Sequence, residues 1–456
     1  MMTNSETRRH LQAAGFSLIE LMVALLLGIL LSLGLVTLFD ATSKTNRVQE
    51  MLAELQENGR YAMTRINGDL RLASRQMMSM SGYIYATPGT NGMVNSTLAA
   101  NVYVDGSSTG PGVPFPDGTV RAPTGWIAAL PGYTRWPLSP AYFMQAYVCG
   151  TSTCTPNSVP SYVPAIGTGA GSRVQNSDVL TVRYLNATGW SSYNGEVAIA
   201  SCAAGGNAVT GITLTPTTGT GTTFAAGDLA LLTSSSGDAS IFAVTAALVP
   251  NGVPNGGSVP CAGGGEVKLF NFSADFITVT YWLQLAADPN VPGRLIPVLM
   301  RAQGNNRAVV AGTNPLPAEL VQGVEQMNFL YGVQFADGSM QYLSADNVVA
   351  KSTSTNCVLP PEQYVETIPG TFETGTDGVT TICLWRSVKG VEAHVLMDSV
   401  NNLFSLSPPE LNYQYNGSGW VAPPAPAAAM TSTGIAAGSM MRREFVSLAS
   451  VRNFNP

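Results

Sequence analysis

One glutamate in an apolar setting, two histidines and six cysteines are the residues of this 456-residue chain whose types could carry chemistry. Glu20 stands at the head of a run from Leu21 to Phe39 that holds no charge. A carboxylate in hydrocarbon costs several kcal/mol unless it takes up a proton or meets a partner, so the chemistry open to Glu20 is pairing with a group that its own segment lacks. His394 is the only histidine beyond the first fifteen residues. In Val391-Glu392-Ala393-His394-Val395, strand alternation places it on the polar face as a solvated side chain. A Ser-His-Asp site would have to use it, yet no G-x-S-x-G elbow, P-loop or H-E-x-x-H occurs. The sequence therefore offers no catalytic set and no nucleotide or other cofactor site, and the chain reads as a non-enzyme.

The cysteines Cys149, Cys154, Cys202, Cys261, Cys357 and Cys383 all follow the apolar run, as in a protein facing an oxidising periplasm or the cell surface. Several pairings are open. The sequential one, Cys149 with Cys154, Cys202 with Cys261 and Cys357 with Cys383, is preferred because each bond then staples one loop-rich excursion. No C-x-x-C and no nearby histidine support a metal reading. Asp105, Asp117, Asp337 and Asp377 each adjoin a glycine, which suits turns, and they lack the spacing of an EF-hand.

These residues need elements to position them, and composition narrows the choice. Charged residues make up 11% of the chain, under half the globular norm of about 25%, while 47 Gly and 29 Pro favour turns and strands over helices. A net charge of −6 without clustered Lys or Arg argues against nucleic acid as a partner. Residues 1–15 form a polar leader carrying Arg8 and Arg9, and cleavage after Gly15 would leave the hydrophobic helix on the mature protein. From Phe16 to Phe39 a helix would run about 36 Å, enough to span a bilayer, with the leader in the cytoplasm and the remainder outside.

Beyond the span, Val48, Met51, Leu52, Leu55, Ala62, Ile66, Leu70 and Ala73 recur at helical spacing, which predicts an amphipathic continuation over 40–78 with a weak point or bend at Gly59. Residues 79–456 read as a β-rich body. Strands are expected over 178–185, 228–233, 241–245, 266–272, 276–285, 295–301, 327–335, 388–397 and 445–451, and a short helical turn over 317–325. Gly/Pro-rich loops fill 86–125, 150–177 and 417–439. No βαβ alternation appears, so the expected class is α+β, a long N-terminal helix packed on an antiparallel sheet.

The stretch Gly15-Phe16-Ser17-Leu18-Ile19-Glu20-Leu21-Met22-Val23-Ala24 resembles the prepilin signal of type IV pilins and type II secretion pseudopilins. That resemblance implies a pilin-like fold, cleavage by prepilin peptidase after Gly15, N-methylation of Phe16, and a role for Glu20 in docking subunits into a filament. Blocks in the body, among them Asp178-Val-Leu-Thr-Val-Arg-Tyr, Arg294-Leu-Ile-Pro-Val-Leu, Leu320-Val-Gln-Gly-Val-Glu-Gln-Met-Asn-Phe-Leu-Tyr and Arg442-Arg-Glu-Phe-Val-Ser-Leu, are similar to the PilW branch of minor pilins. The similarity implies a low-copy subunit, anchored in the inner membrane and then carried into the extracellular pilus, the fimbrial organelle of adhesion and twitching motility. It would prime assembly with other minor pilins and the major pilin, near the tip beneath a PilY-type adhesin. Two alternatives remain open at this stage: a minor pseudopilin of a type II secretion system, and an adhesive module displayed on a pilin stalk.

Overall fold

The computed structural model describes residues 17–73, 84–85, 93–94, 101–104, 113–114, 120–121, 134–137, 144–155, 159–186, 188–202, 209–215, 221–225, 228–234, 239–243, 266–305, 316–353, 355–356, 383–403, 406–422 and 438–451. Chain contacts divide it into two units, residues 1–54 and 55–456.

Helix α1, Leu18–Leu72, supplies the described part of the first unit and the opening segment of the second. It is unbroken through Gly28, Gly34 and Gly59, and residues 74–78 of the expected continuation lie outside the described residues. In the second unit its buried side carries Leu55, Gly59, Ala62, Met63, Ile66, Asp69 and Leu70, the three- and four-residue rhythm of one helix face. Gly59 is not a bend. A Cβ there would collide with the Phe445 ring, so the missing side chain lets helix and strand approach closely.

The second unit is built on antiparallel sheets. The first takes β1 (Met144–Cys149), β2 (Cys154–Thr155), β3 (Val179–Leu185), β4 (Phe276–Ala287), β5 (Leu295–Asn305) and β6 (Leu316–Gln322), in the spatial order β6-β5-β4-β3-β1-β2. The other takes β7 (Val324–Gln334), β8 (Met340–Leu343), β9 (Val388–Asp398) and β10 (Arg442–Ser450), in the order β8-β7-β9-β10. A short helix, α2 (Ala345–Ala350), follows β8. One core joins them: Ile66 and Leu70 of α1 with Leu180 and Val182 of β3, Tyr281 and Leu283 of β4, Phe329 of β7 and Val395 of β9. With the architecture of one long apolar helix and antiparallel sheets, the fold is α+β and pilin-like.

Strand β3 is buried along its whole length because both its faces are covered. Leu180 and Val182 enter the core that includes α1. On the opposite face Val179 packs with Tyr147, Val163 and Trp282. Val163 belongs to the Gly/Pro-rich stretch 150–177, which runs along β4 by hydrogen bonds from Gly171 N to Leu285 O, Val174 N to Leu283 O and Leu285 N to Ser172 O. That stretch is thus the sheet's second cover, tied down by its backbone polar groups.

The segment 317–325 is not helical. It forms β6, an edge strand on which Pro317 pairs with Ala302, and then turns at Gly323 into β7. Pro is tolerated at a sheet edge, and Gly323, at φ +77°, makes the turn between the two sheets. A third sheet contains the strands Trp190–Ser191, Val267–Asn271, Leu229–Ser234, Ala239–Ala243, Asn101–Val104 and Thr134–Pro137 in that spatial order, with one parallel pairing, between Ala239–Ala243 and Asn101–Val104. It has its own core of Trp190, Val197, Leu214, Phe224, Leu232 and Leu269.

Candidate functional site

In the first turn of α1, Glu20 is exposed among exposed Leu18, Ile19, Leu21 and Met22. From Leu18 to Phe39 every large apolar side chain is at least 53% accessible, and Glu20 is the one ionisable group. It has no side-chain partner among the described residues. An acid in a helix's first turn complements the unpaired N–H groups there, and Thr37 donates its hydroxyl back to Gly34 O at 2.9 Å, which satisfies it within the helix. The helix is long and apolar enough to cross a membrane by length and composition, with a mean hydropathy of 2.7 over its most apolar window. Gly15 and Phe16 lie outside the described residues.

Asp69 has the opposite surroundings. It is buried on α1, with Oδ2 2.9 Å from Arg301 Nε and Oδ1 3.2 Å from Arg301 Nη2. Tyr184 donates to Oδ1 at 3.1 Å, and Tyr281 donates to Oδ2. Arg301 also donates through Nη1 to Gln303 Oε1 at 2.7 Å. Burial, then the Asp69 charge, pushes the Tyr184 hydroxyl up to about 12, and the same two causes raise Tyr281. Burial alone would lower the Arg301 guanidinium, but its hydrogen bond and charge contact with Asp69 raise it above its ordinary value. This forked pair, with two phenols completing the carboxylate's bonding, fastens α1 to β3, β4 and β5.

A second buried pair lies in the other sheet. Arg442 of β10 grips Glu325 of β7 with two bonds of 2.7 Å, from Nε and from Nη2. Between their strands, Asp398 of β9 is buried, and burial followed by the neighbouring Glu325 pushes its carboxyl well above the usual range.

His394 of β9 is not the solvated residue that alternation suggested. It is buried, because Tyr415 and Asn416 lie over that face of the sheet. Its Nδ1 is 2.7 Å from Glu444 Oε1, and its Nε2 is 3.0 Å from Glu392 Oε1 at ion-pair separation but outside hydrogen-bonding geometry. The Tyr415 hydroxyl lies 2.7 Å from Asn328 Oδ1 and 3.2 Å from His394 O.

Cys149 and Cys154 are joined by a disulfide, and Arg173 Nη1 lies 2.8 Å and 3.0 Å from the two sulfurs. Cys261 and Cys357 lie outside the described residues, so the pairings proposed with Cys202 and Cys383 do too. Among the described residues no group of three or more His, Cys, Asp or Glu side chains could hold a metal ion.

Sequence reasoning passed over Asp69, Arg301, Tyr184 and Tyr281. One signal was available: Asp69 falls three residues after Ile66 and beside Leu70, so it lies on the apolar stripe rather than opposite it.

An N-terminal helix bare and apolar at its start, whose later turns are buried against antiparallel sheets, defines a pilin-like protein. The family model PilW, Type IV Pilus-assembly protein W, matches residues 280–453, and over that region the chain is similar to that family. The match includes Arg301, Glu325, His394, Asp398 and Arg442. No curated protein and no solved structure matches the chain. The similarity to PilW relates residues 280–453 to type IV pilus assembly.

Proposed function

We propose that this chain is a minor pilin, a structural subunit that helps initiate type IV pilus assembly. In this reading prepilin peptidase removes residues 1–15 by cleaving after Gly15, and Phe16 becomes the N-methylated amino terminus. Residues 16–39 hold the subunit in the inner membrane, 40–78 continue the helix in the periplasm, and 79–456 form the body. In the pilus, near the tip beneath a PilY-type adhesin, the helix is surrounded by those of other minor pilins and the major pilin. Glu20 then meets the amino group of a neighbouring subunit.

The observation that carries this reading is the exposed apolar stretch of α1 from Leu18 to Phe39, whose one carboxylate, Glu20, has no side-chain partner among the described residues. Such a surface is satisfied by lipid before assembly and by other apolar helices afterwards, and the charge by an amine that only a second subunit supplies. The PilW match favours a pilus over a secretion pseudopilus.

The test is the mass of the purified mature protein together with pilus numbers in a gene deletion. The expected mass is that of a chain beginning at methylated Phe16, with Gly15→Val retaining the leader, and the deletion is expected to lose most surface pili. A different mature terminus, or normal piliation in the deletion, would contradict the proposal.

A further inference from the structure

We propose that the groove at the Trp190–Ser191 edge of the third sheet binds a neutral hexopyranose residue of a glycan. The groove is open to solvent on one side and holds about 410 Å³, within the size range of small-ligand sites. Ser191 pairs with Lys268 at the sheet edge, and the chain then turns through 192–195, closed by a 3.0 Å bond from Gly195 N to Ser192 O. That turn holds Tyr193 at the groove with 78% of its surface accessible and no ring partner among the described residues.

The remaining lining is polar and of both kinds. Glu196 is buried, and its Oε2 accepts from Ser191 N at 3.0 Å, which fixes the carboxylate in the wall. Glu266 and Lys268 point outward because Val267 and Leu269, alternating with them, fill the sheet's core. Asn194 adds an amide. The strand that carries Ser191 is anchored, since Trp190 beside it is buried in the sheet's core and donates through Nε1 to Thr222 O at 3.1 Å.

A pyranose presents one apolar C–H face and a rim of hydroxyls that both donate and accept. An exposed tyrosine ring matches the first, and carboxylates beside an ammonium and an amide match the second. Two carboxylates against one ammonium leave the groove negative, which disfavours acidic sugars. This inference does not rest on the assembly reading, since the groove involves neither α1 nor Glu20.

The test uses the full-length protein in detergent micelles with saturation-transfer NMR. The probes are methyl β-galactopyranoside, methyl N-acetyl-β-glucosaminide and sialic acid. Transfer is expected to the ring protons of at least one neutral glycoside and not to sialic acid. Affinity should fall about tenfold in Tyr193→Ala and survive in Tyr193→Phe, which keeps the ring. No transfer to either neutral glycoside, undiminished binding in Tyr193→Ala, or sialic acid bound as well as the neutral sugars would overturn the proposal.

Discussion

Glu20 and Asp69 stand on the same helix in opposite company. Around Glu20 the side chains are apolar and exposed, and no described group pairs with the carboxylate. Around Asp69 a guanidinium and two phenols complete its bonding inside the body. An acid whose partners all come from its own chain serves the fold. An acid stranded on a membrane-length apolar surface needs its partner from outside, and that difference separates the part of α1 that builds the body from the part for which we propose a role in joining subunits.

The largest effect should come from breaking the satisfied acid. Asp69→Ala leaves Arg301 buried without its counterion, and the loss is expected to be about 3–5 kcal/mol. Thermal unfolding of the full-length protein in detergent checks this. Asp69→Leu combined with Arg301→Met should cost much less than the two single changes added together, because neither charge is then left buried alone. A loss from Asp69→Ala no larger than that from Glu20→Ala would erase the contrast.

Asp178 lies between the two cases and sharpens the comparison through pH. It is buried before β3 and accepts a 3.0 Å bond from Phe329 N, yet burial dominates and pushes its carboxyl up to about 7. With the folded value above the unfolded one, the proton bound in the folded state stabilises it fully below about pH 4. That contribution is lost as pH rises through about 7. Asp398, raised in the same direction, adds to the slope. The unfolding temperature should therefore fall between pH 5 and pH 8, by less in Asp178→Asn than in the wild type. Equal slopes in the two proteins would assign the effect elsewhere.

The elements with regular alternation were readable from the sequence: the runs beginning at Phe276, Leu295 and Val388 are strands with nearly the expected limits. So was the apolar stripe of α1 from Leu55 to Leu70. Residues 317–325 misled because proline beside mixed apolar and polar residues fits a helix start as well as an edge strand, and only pairing with β5 decides between them. His394 misled for a related reason. Alternation says which face a residue occupies but not whether Tyr415, twenty-one positions away, covers that face. The Asp69–Arg301 pair joins residues 232 positions apart, a separation that no local pattern encodes. The exposed, isolated position of Glu20 was legible in the sequence, because a lone charge in an apolar run is a local anomaly.

The most direct test of the division within α1 is Glu20→Val, expressed beside the wild-type subunit, with processing, thermal unfolding and recovery from sheared pili measured on the same preparation. Normal cleavage after Gly15, an unchanged unfolding temperature and near-complete loss of the variant from the pilus fraction are expected. Recovery of Glu20→Val in pili at the wild-type level would contradict this division.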